Sequence, residues 1–317
     1  MDTDAFDSVE VGRQLGHDLH RCSRLPLQPD WPAPVREGFL AAAAGRSPRQ
    51  AGDRFQRKWL QLRLSAFNRQ RVVAPDVTPD LLRELDLDHC PVTRQPLTHG
   101  LRADTDASVD RLNNDAAYAA SNLAVMSVRA NRAKGCLSFE AVWAAARGQA
   151  PAGELTPQEW LRLAVLMQGP AFATRQHLAP LLPLVAPLPC RSVRLAMQQI
   201  QRLFTLEARR PSGRNLLVRV FAQAAPAERA QMRLRRFGDV IHEALRAQHP
   251  GDHCWDVWLQ PQVMAALQQW RESLDELSWA RVARLSGQLA GGQRVSAASL
   301  APWHLASRGY QPRRASA

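Results

Sequence analysis

The stretch that decides the fold runs Ser108-Val109-Asp110-Arg111-Leu112-Asn113, then Tyr118, then Ser121-Asn122-Leu123. It closes on Met126-Ser127-Val128-Arg129-Ala130-Asn131-Arg132-Ala133-Lys134-Gly135. It reads as a strand, a polar loop and a short helix. Val109 and Leu112 are apolar anchors around a turn that presents Asp110, and Tyr118 and Leu123 pack the loop. Gly135 ends the helix, as glycine commonly does one residue past the last turn. On that helix Ser127, Asn131 and Lys134 stand at i, i+4 and i+7 and share one face, while Met126, Ala130 and Ala133 share a neighbouring face suited to packing inward.

The chemistry follows from that placement. Asp110 at the strand end can meet Asn131 across a small gap, offering two oxygen ligands to a hard divalent cation with open positions for water and phosphate. A cation held this way stabilises the developing charge in phosphodiester hydrolysis. Arg129, Arg132 and Lys134 are the expected contacts to the DNA backbone. Histidines nearby, His99 first and His89 second, are alternatives between a general base and exposed loop side chains.

These residues and their spacing resemble the HNH, or ββα-metal, endonucleases of the phage-like branch over about residues 89–135. The resemblance implies that Asp110 is the metal-binding acid, Asn122 the asparagine bracing the loop, Asn131 the helix ligand and Lys134 the phosphate-side lysine. It implies Mg²⁺ or Mn²⁺ as cofactor and DNA as partner. Two departures stand out. The position after the acid, where the family carries its general-base histidine, holds Arg111, which stays protonated and can only bind or stabilise phosphate. Cys90 is followed by Thr93 instead of a second cysteine, and no other Cys-x-x-Cys pair exists, so no structural zinc is expected.

Outward from this centre the chain is helical. Pro32 to Val73 shows an amphipathic stripe of Phe55, Trp59, Leu60, Leu64 and Phe67. Between Arg46 and Arg71 lie eight basic residues, Arg57 and Lys58 among them, against Asp53 alone. Either that run lies along a phosphate backbone or it is a solvated helix face. Thr78-Pro79 starts a short helix. Helices are expected over 137–148, 156–167, 192–206, 215–224, 226–247, 255–269 and 274–289, with a proline-rich connection over 169–189. Arg233, Arg235 and Arg236 form a second basic cluster, read as surface charge. His17, His20 and Cys22, and likewise His242, His249, His253 and Cys254, show no zinc-site spacing and are read as structural.

The expected architecture is therefore mainly α: an N-terminal basic helical region (1–77), an HNH-like ββα module (78–136) and a C-terminal helical domain (137–317). The formal charge is +12 from 41 basic residues, all but Lys58 and Lys134 being arginine. It favours a polyanionic partner, although the arginine and alanine skew also fits a GC-rich coding sequence. No apolar stretch approaches a membrane span, the acidic N-terminus is unlike a secretory signal, and five scattered cysteines suit a reducing cytoplasm. Three functions are open: a metal-dependent DNA endonuclease or nickase, a degenerate HNH fold that binds nucleic acid without cutting, and a protein-interaction role for the C-terminal helices.

Overall fold

The computed structural model describes residues 8–23, 25–45, 48–149, 153–172, 178–186 and 196–291. Arg46, Cys190 and the first residues of the expected 192–206 helix lie outside the described residues, as do parts of the 169–189 connection. The chain is mainly helical, with one two-stranded antiparallel sheet. It divides into two compact units. One takes the described residues up to Asp86 together with Asp115–Leu123; the other takes Leu87–Asn114 and the described residues from Ala124 onward.

In the first unit, helices α1 (Ser8–Cys22), α2 (Ala33–Ala44), α3 (Arg54–Asn68) and α4 (Pro79–Glu84) surround a core of Leu15, Leu19, Trp31, Val35, Phe39 and Leu60. The helical pattern over 32–73 is thus two helices, and α1 precedes them in a part of the 1–77 helical region where no individual helix was placed. Local chemistry sets the starts. Asp53 caps α3 in a reciprocal box with Gln56, and Thr78 caps α4 with Pro79 at its first position. Helices α1 and α2 cross at backbone contact. A Cβ on Gly16 would fall 1.9 Å from the Val35 carbonyl oxygen, and one on Gly38 1.9 Å from that of Arg13. Only hydrogen fits at either position.

The loop segment 115–123 belongs to this unit through backbone bonds. Tyr118 N–H donates to the Val72 carbonyl (3.0 Å), and the Tyr118 carbonyl accepts from Ala74 N–H (2.8 Å). The buried Tyr118 ring and these bonds fix the loop onto residues 72–74.

In the second unit, β1 (Ala107–Arg111), β2 (Leu123–Ser127) and α5 (Val128–Lys134) follow in the order ββα. Next come α6 (Phe139–Ala146), α7 (Pro157–Ala171), α8 (Ala196–Glu207), α9 (Pro211–Ala224), α10 (Glu228–Arg246), α11 (Pro261–Glu272) and α12 (Glu276–Gly291). The pattern over 255–269 is not one helix. Cys254–Leu259 is a 3-10 turn, and Pro261, which has no N–H to give, opens α11.

A single core joins the small sheet to the helices. It includes Cys90, Val92, Met126 and Ala130 along with Val142, Leu163, Phe204, Phe237 and Trp270. The inward Ala130 of α5 belongs to this same core. Phe237 stacks on Trp270 with centroids 5.8 Å apart, and Trp258 donates its indole N–H to Thr205 Oγ1 (2.8 Å). Each fully buried phenylalanine here stabilises the unit by about 1.5–3 kcal/mol. Among the described residues no helix is long and apolar enough to cross a membrane.

Candidate functional site

Strand β1 ends at Asp110–Arg111, and α5 begins directly after β2 because Ser127, itself still extended, caps it by accepting from Ala130 N–H (3.2 Å). The first free amides of α5 are also satisfied by the loop before β1: Val128 N–H donates to the Asp106 carbonyl and Arg129 N–H to that of Asp104. Asp106 in turn orders the 98–106 loop, accepting from the Thr98 hydroxyl and from the amides of Leu101 and Arg102. The Thr98 bond and those amides hold its carboxyl below the usual range, against a smaller opposing effect of burial.

At the centre, Lys134 Nζ lies 3.0 Å from Asp110 Oδ2. The lysine side chain is fully buried and that of Asp110 is 12% exposed. Oδ2 itself has no hydrogen bond of good geometry, so the contact is an ion pair more than a directed bond. Burial pushes the Asp110 carboxyl above the ordinary carboxylate range, while Lys134 and then Arg111 pull it partly back. Lys134 Nζ also donates to Asn114 Oδ1 (3.3 Å), and Asn114 Nδ2 donates to the Gly135 carbonyl (3.0 Å). Asn114 thus ties the end of α5 to the turn after β1.

The other expected residues are placed as follows. Asn131 Nδ2 donates to Ser108 Oγ (2.7 Å), two residues before Asp110 on the same strand. Arg111 is buried, and its Nη1 donates to the Asn114 carbonyl (3.2 Å). Asn122 is wholly buried, with Nδ2 donating to the Ala117 carbonyl (2.9 Å), a bond that closes the 117–122 turn. His99 is exposed in the loop before β1, beside Gly100, and His89 is exposed as well. Arg57 is exposed, with Nη1 donating to the Gly52 carbonyl; its neighbour Lys58 on α3 is half-buried.

Three residues expected on phosphate are engaged inside the protein instead. Lys134 is buried against Asp110. Arg129 Nη2 pairs with Glu159 Oε2 (3.0 Å) and also donates to the Glu154 carbonyl (2.7 Å). Arg132 Nη1 and Nη2 reach Asp104 (3.0 Å) and Glu154 (2.9 Å) respectively, and those two acids push its guanidinium even further above its usual range. The physical reason is proximity: acids from the 98–106 loop and from the start of α7 converge on the exposed side of α5. The sequence carries no acid between Asp115 and Glu140, so that acids from 98–106 and 154–159 fold onto this helix was not legible in it.

Sequence reasoning also missed two supporting groups. The Cys90 sulfur is buried and accepts from the amides of Ser127 (3.2 Å) and Thr93 (3.4 Å), joining the 90–93 turn to the start of α5. Arg94, in the left-handed region at φ 62°, reaches Asp256 with Nη1 on Oδ2 at 2.6 Å. Burial raises the Asp256 carboxyl, but Arg94 outweighs it and leaves the group below its ordinary value. The turn residues at 90–94 signalled a tight loop; the partner 162 residues away did not.

His20 is buried edge-on against Phe39, with its pKa lowered by burial and then by Arg49, and His242 Nδ1 is 2.6 Å from the Ala208 carbonyl. Among the described residues no three His, Cys, Asp or Glu side chains group as a metal set. No family model matches the chain, and no curated protein or solved structure shows a significant match to it.

Proposed function

We propose that the chain is a nucleic-acid-binding protein built on an HNH-like ββα module whose catalytic centre is closed by its own lysine. The observation that carries this reading is the buried Lys134–Asp110 pair at the meeting of β1 and α5. A divalent cation would need Asp110 as its anionic ligand, yet a fixed ammonium 3.0 Å away already balances that charge. A second positive centre there would face Lys134 in a poorly solvated setting, where like charges repel strongly. The Asn131 amide nitrogen is tied to Ser108, so its oxygen could offer only a neutral ligand, and Arg111, standing where a base is needed, cannot accept a proton. The residues as arranged therefore do not fit Mg²⁺ or Mn²⁺. What they do is hold strand, loop and helix together: Lys134 neutralises Asp110, Asn114 locks the helix end, and Asn122 closes the inter-strand loop.

One observation favours a second reading, metal-dependent DNA cleavage or nicking. A strand-end acid and a helix amide do occupy the two positions of a ββα ligand pair, with exposed His99 available as base. That reading requires Lys134 to release Asp110. Incubating supercoiled plasmid with the full chain and Mg²⁺ or Mn²⁺, beside Asp110→Asn, separates the two. Retarded but intact plasmid is expected. Metal-dependent relaxation that disappears in Asp110→Asn would replace the first reading by the second, and failure to retard plasmid at low salt would end both.

A further inference from the structure

The module is nearly neutral, with six basic residues against five acids over 87–135, and all of its cations but the exposed Arg102 are turned to internal partners. The excess positive charge of the second unit lies elsewhere. From Arg209 to Arg246 nine arginines face three acids, Glu228, Asp239 and Glu243.

Helix α10 sorts them. Its buried stripe is Ala230, Leu234, Phe237, Ile241 and Leu245, at spacings of four, three, four and four. Arg229, Arg233 and Arg236 recur at i, i+4 and i+7 and so form a separate stripe along one side of the helix. Arg229 and Arg236 are exposed and have no acid partner among the described residues. Asp239, the one acid three or four residues from Arg235 and Arg236, is taken by Arg214 of α9, with Nη1 on Oδ1 at 3.0 Å.

Across the seam with α11 the neighbour is neutral. Arg233 Nη1 donates to Gln269 Oε1 (2.8 Å), which orients the guanidinium without discharging it. Opposite charges three or four residues apart stabilise an exposed helix, and the one acid so placed along this stripe, Asp239, is held by Arg214. An arginine-rich composition alone does not explain the pattern either, since Arg94, Arg129 and Arg132 in the same unit all find carboxylates.

We infer that the Arg229–Arg233–Arg236 stripe of α10 is a docking surface for the phosphodiester backbone of a nucleic-acid duplex. This rests on the nucleic-acid reading above and moves the phosphate contacts from α5 to α10. Seven residues of helix rise about 10 Å, the axial length of about three phosphates on one strand. Guanidinium groups suit that spacing because each can grip a phosphate with two parallel N–H donors.

The test measures binding of a 30-base-pair DNA duplex and its RNA counterpart to the full chain by fluorescence anisotropy between 50 and 300 mM salt. It compares wild type, Arg229→Gln/Arg233→Gln/Arg236→Gln, and Arg129→Gln/Arg132→Gln, each checked for a native melting profile. Loss of three phosphate contacts is expected to flatten the plot of log affinity against log salt by about 2–3, with at least about tenfold weaker binding at 100 mM salt. The α5 variant is expected to keep the wild-type slope. The DNA and RNA arms show which duplex is held. An unchanged slope in the α10 variant, with the α5 variant flattened instead, overturns this surface but leaves the nucleic-acid reading standing. No binding by wild type at 50 mM salt overturns both. Arginine-dependent capture on phosphatidylserine vesicles without duplex binding assigns the stripe to a lipid surface and overturns the proposal.

Discussion

Helix α5 and helix α10 are both rich in arginine, yet their charges meet opposite fates. Around α5 every basic group has an answer within the fold: Lys134 has Asp110, Arg129 has Glu159, and Arg132 has Asp104 and Glu154. Along α10 the stripe of Arg229, Arg233 and Arg236 has one glutamine and no carboxylate. A basic helix in a sequence is therefore not yet a binding surface. What matters is whether the rest of the chain brings acids to it, and that is a property of topology.

The largest effect should come from breaking the closed centre. Lys134→Ala leaves Asp110 buried without a counter-charge and should lower the stability of the second unit by about 3–5 kcal/mol, read from urea unfolding of the full chain. Pairing it with Asp110→Leu should recover most of that loss, because replacing both charges removes the desolvation penalty with the attraction. No recovery in the double variant would mean that Lys134 acts through something other than Asp110.

Arg94→Met comes next, at about 1–3 kcal/mol, since its bonds to Asp256 are charge-assisted but partly solvated. The pH dependence carries the signature. The folded Asp256 carboxyl lies below its ordinary value of 3.8, so the pair's contribution is complete above that value. It is lost as pH falls through the lower folded value. Arg94→Met should flatten the acid limb of the unfolding curve in that window. Asp110 works in the other direction: its raised folded value means that this group costs stability as pH rises from 3.8 through the folded value, and Asp110→Asn should remove that slope.

The smallest effect belongs to the exposed pairs. Arg132→Gln, whose partners Asp104 and Glu154 are exposed, should cost no more than about 1 kcal/mol per pair and vanish at high salt, whereas the α10 variant should leave stability unchanged. A large loss from the α10 variant would show that its arginines have partners after all.

Much of the helical framework was legible. Thr78-Pro79, Ser138 and Thr156-Pro157 mark starts that the structure reproduces, because capping is a contact between residues three apart. A β-like run at Ser108–Leu112 anticipated β1, but β2 did not show: Leu123–Ser127 is buried on both faces and carries no period-two signal. Helix α1 was overlooked because its apolar side is completed by glycines, which no hydrophobic template counts. At the centre, the residue spacing put Asp110, Asn122, Asn131 and Lys134 in one neighbourhood, with Asn122 bracing the loop and the other three assigned to metal and phosphate. Whether an acid faces an ion or an amine depends on how far one lysine side chain turns inward, and spacing along a helix is silent on that.

The crossing of α1 and α2 has a consequence for ancestry. Gly16 and Gly38, 22 positions apart, meet opposing backbone where no side chain can be admitted. Most of this chain's surface can drift without trace, yet these two positions cannot change unless the helices separate. In distant kin that have lost the charged residues of the centre, a glycine pair at that interval would be the surviving mark of common descent. It would also distinguish them from proteins that share the ββα arrangement by convergence.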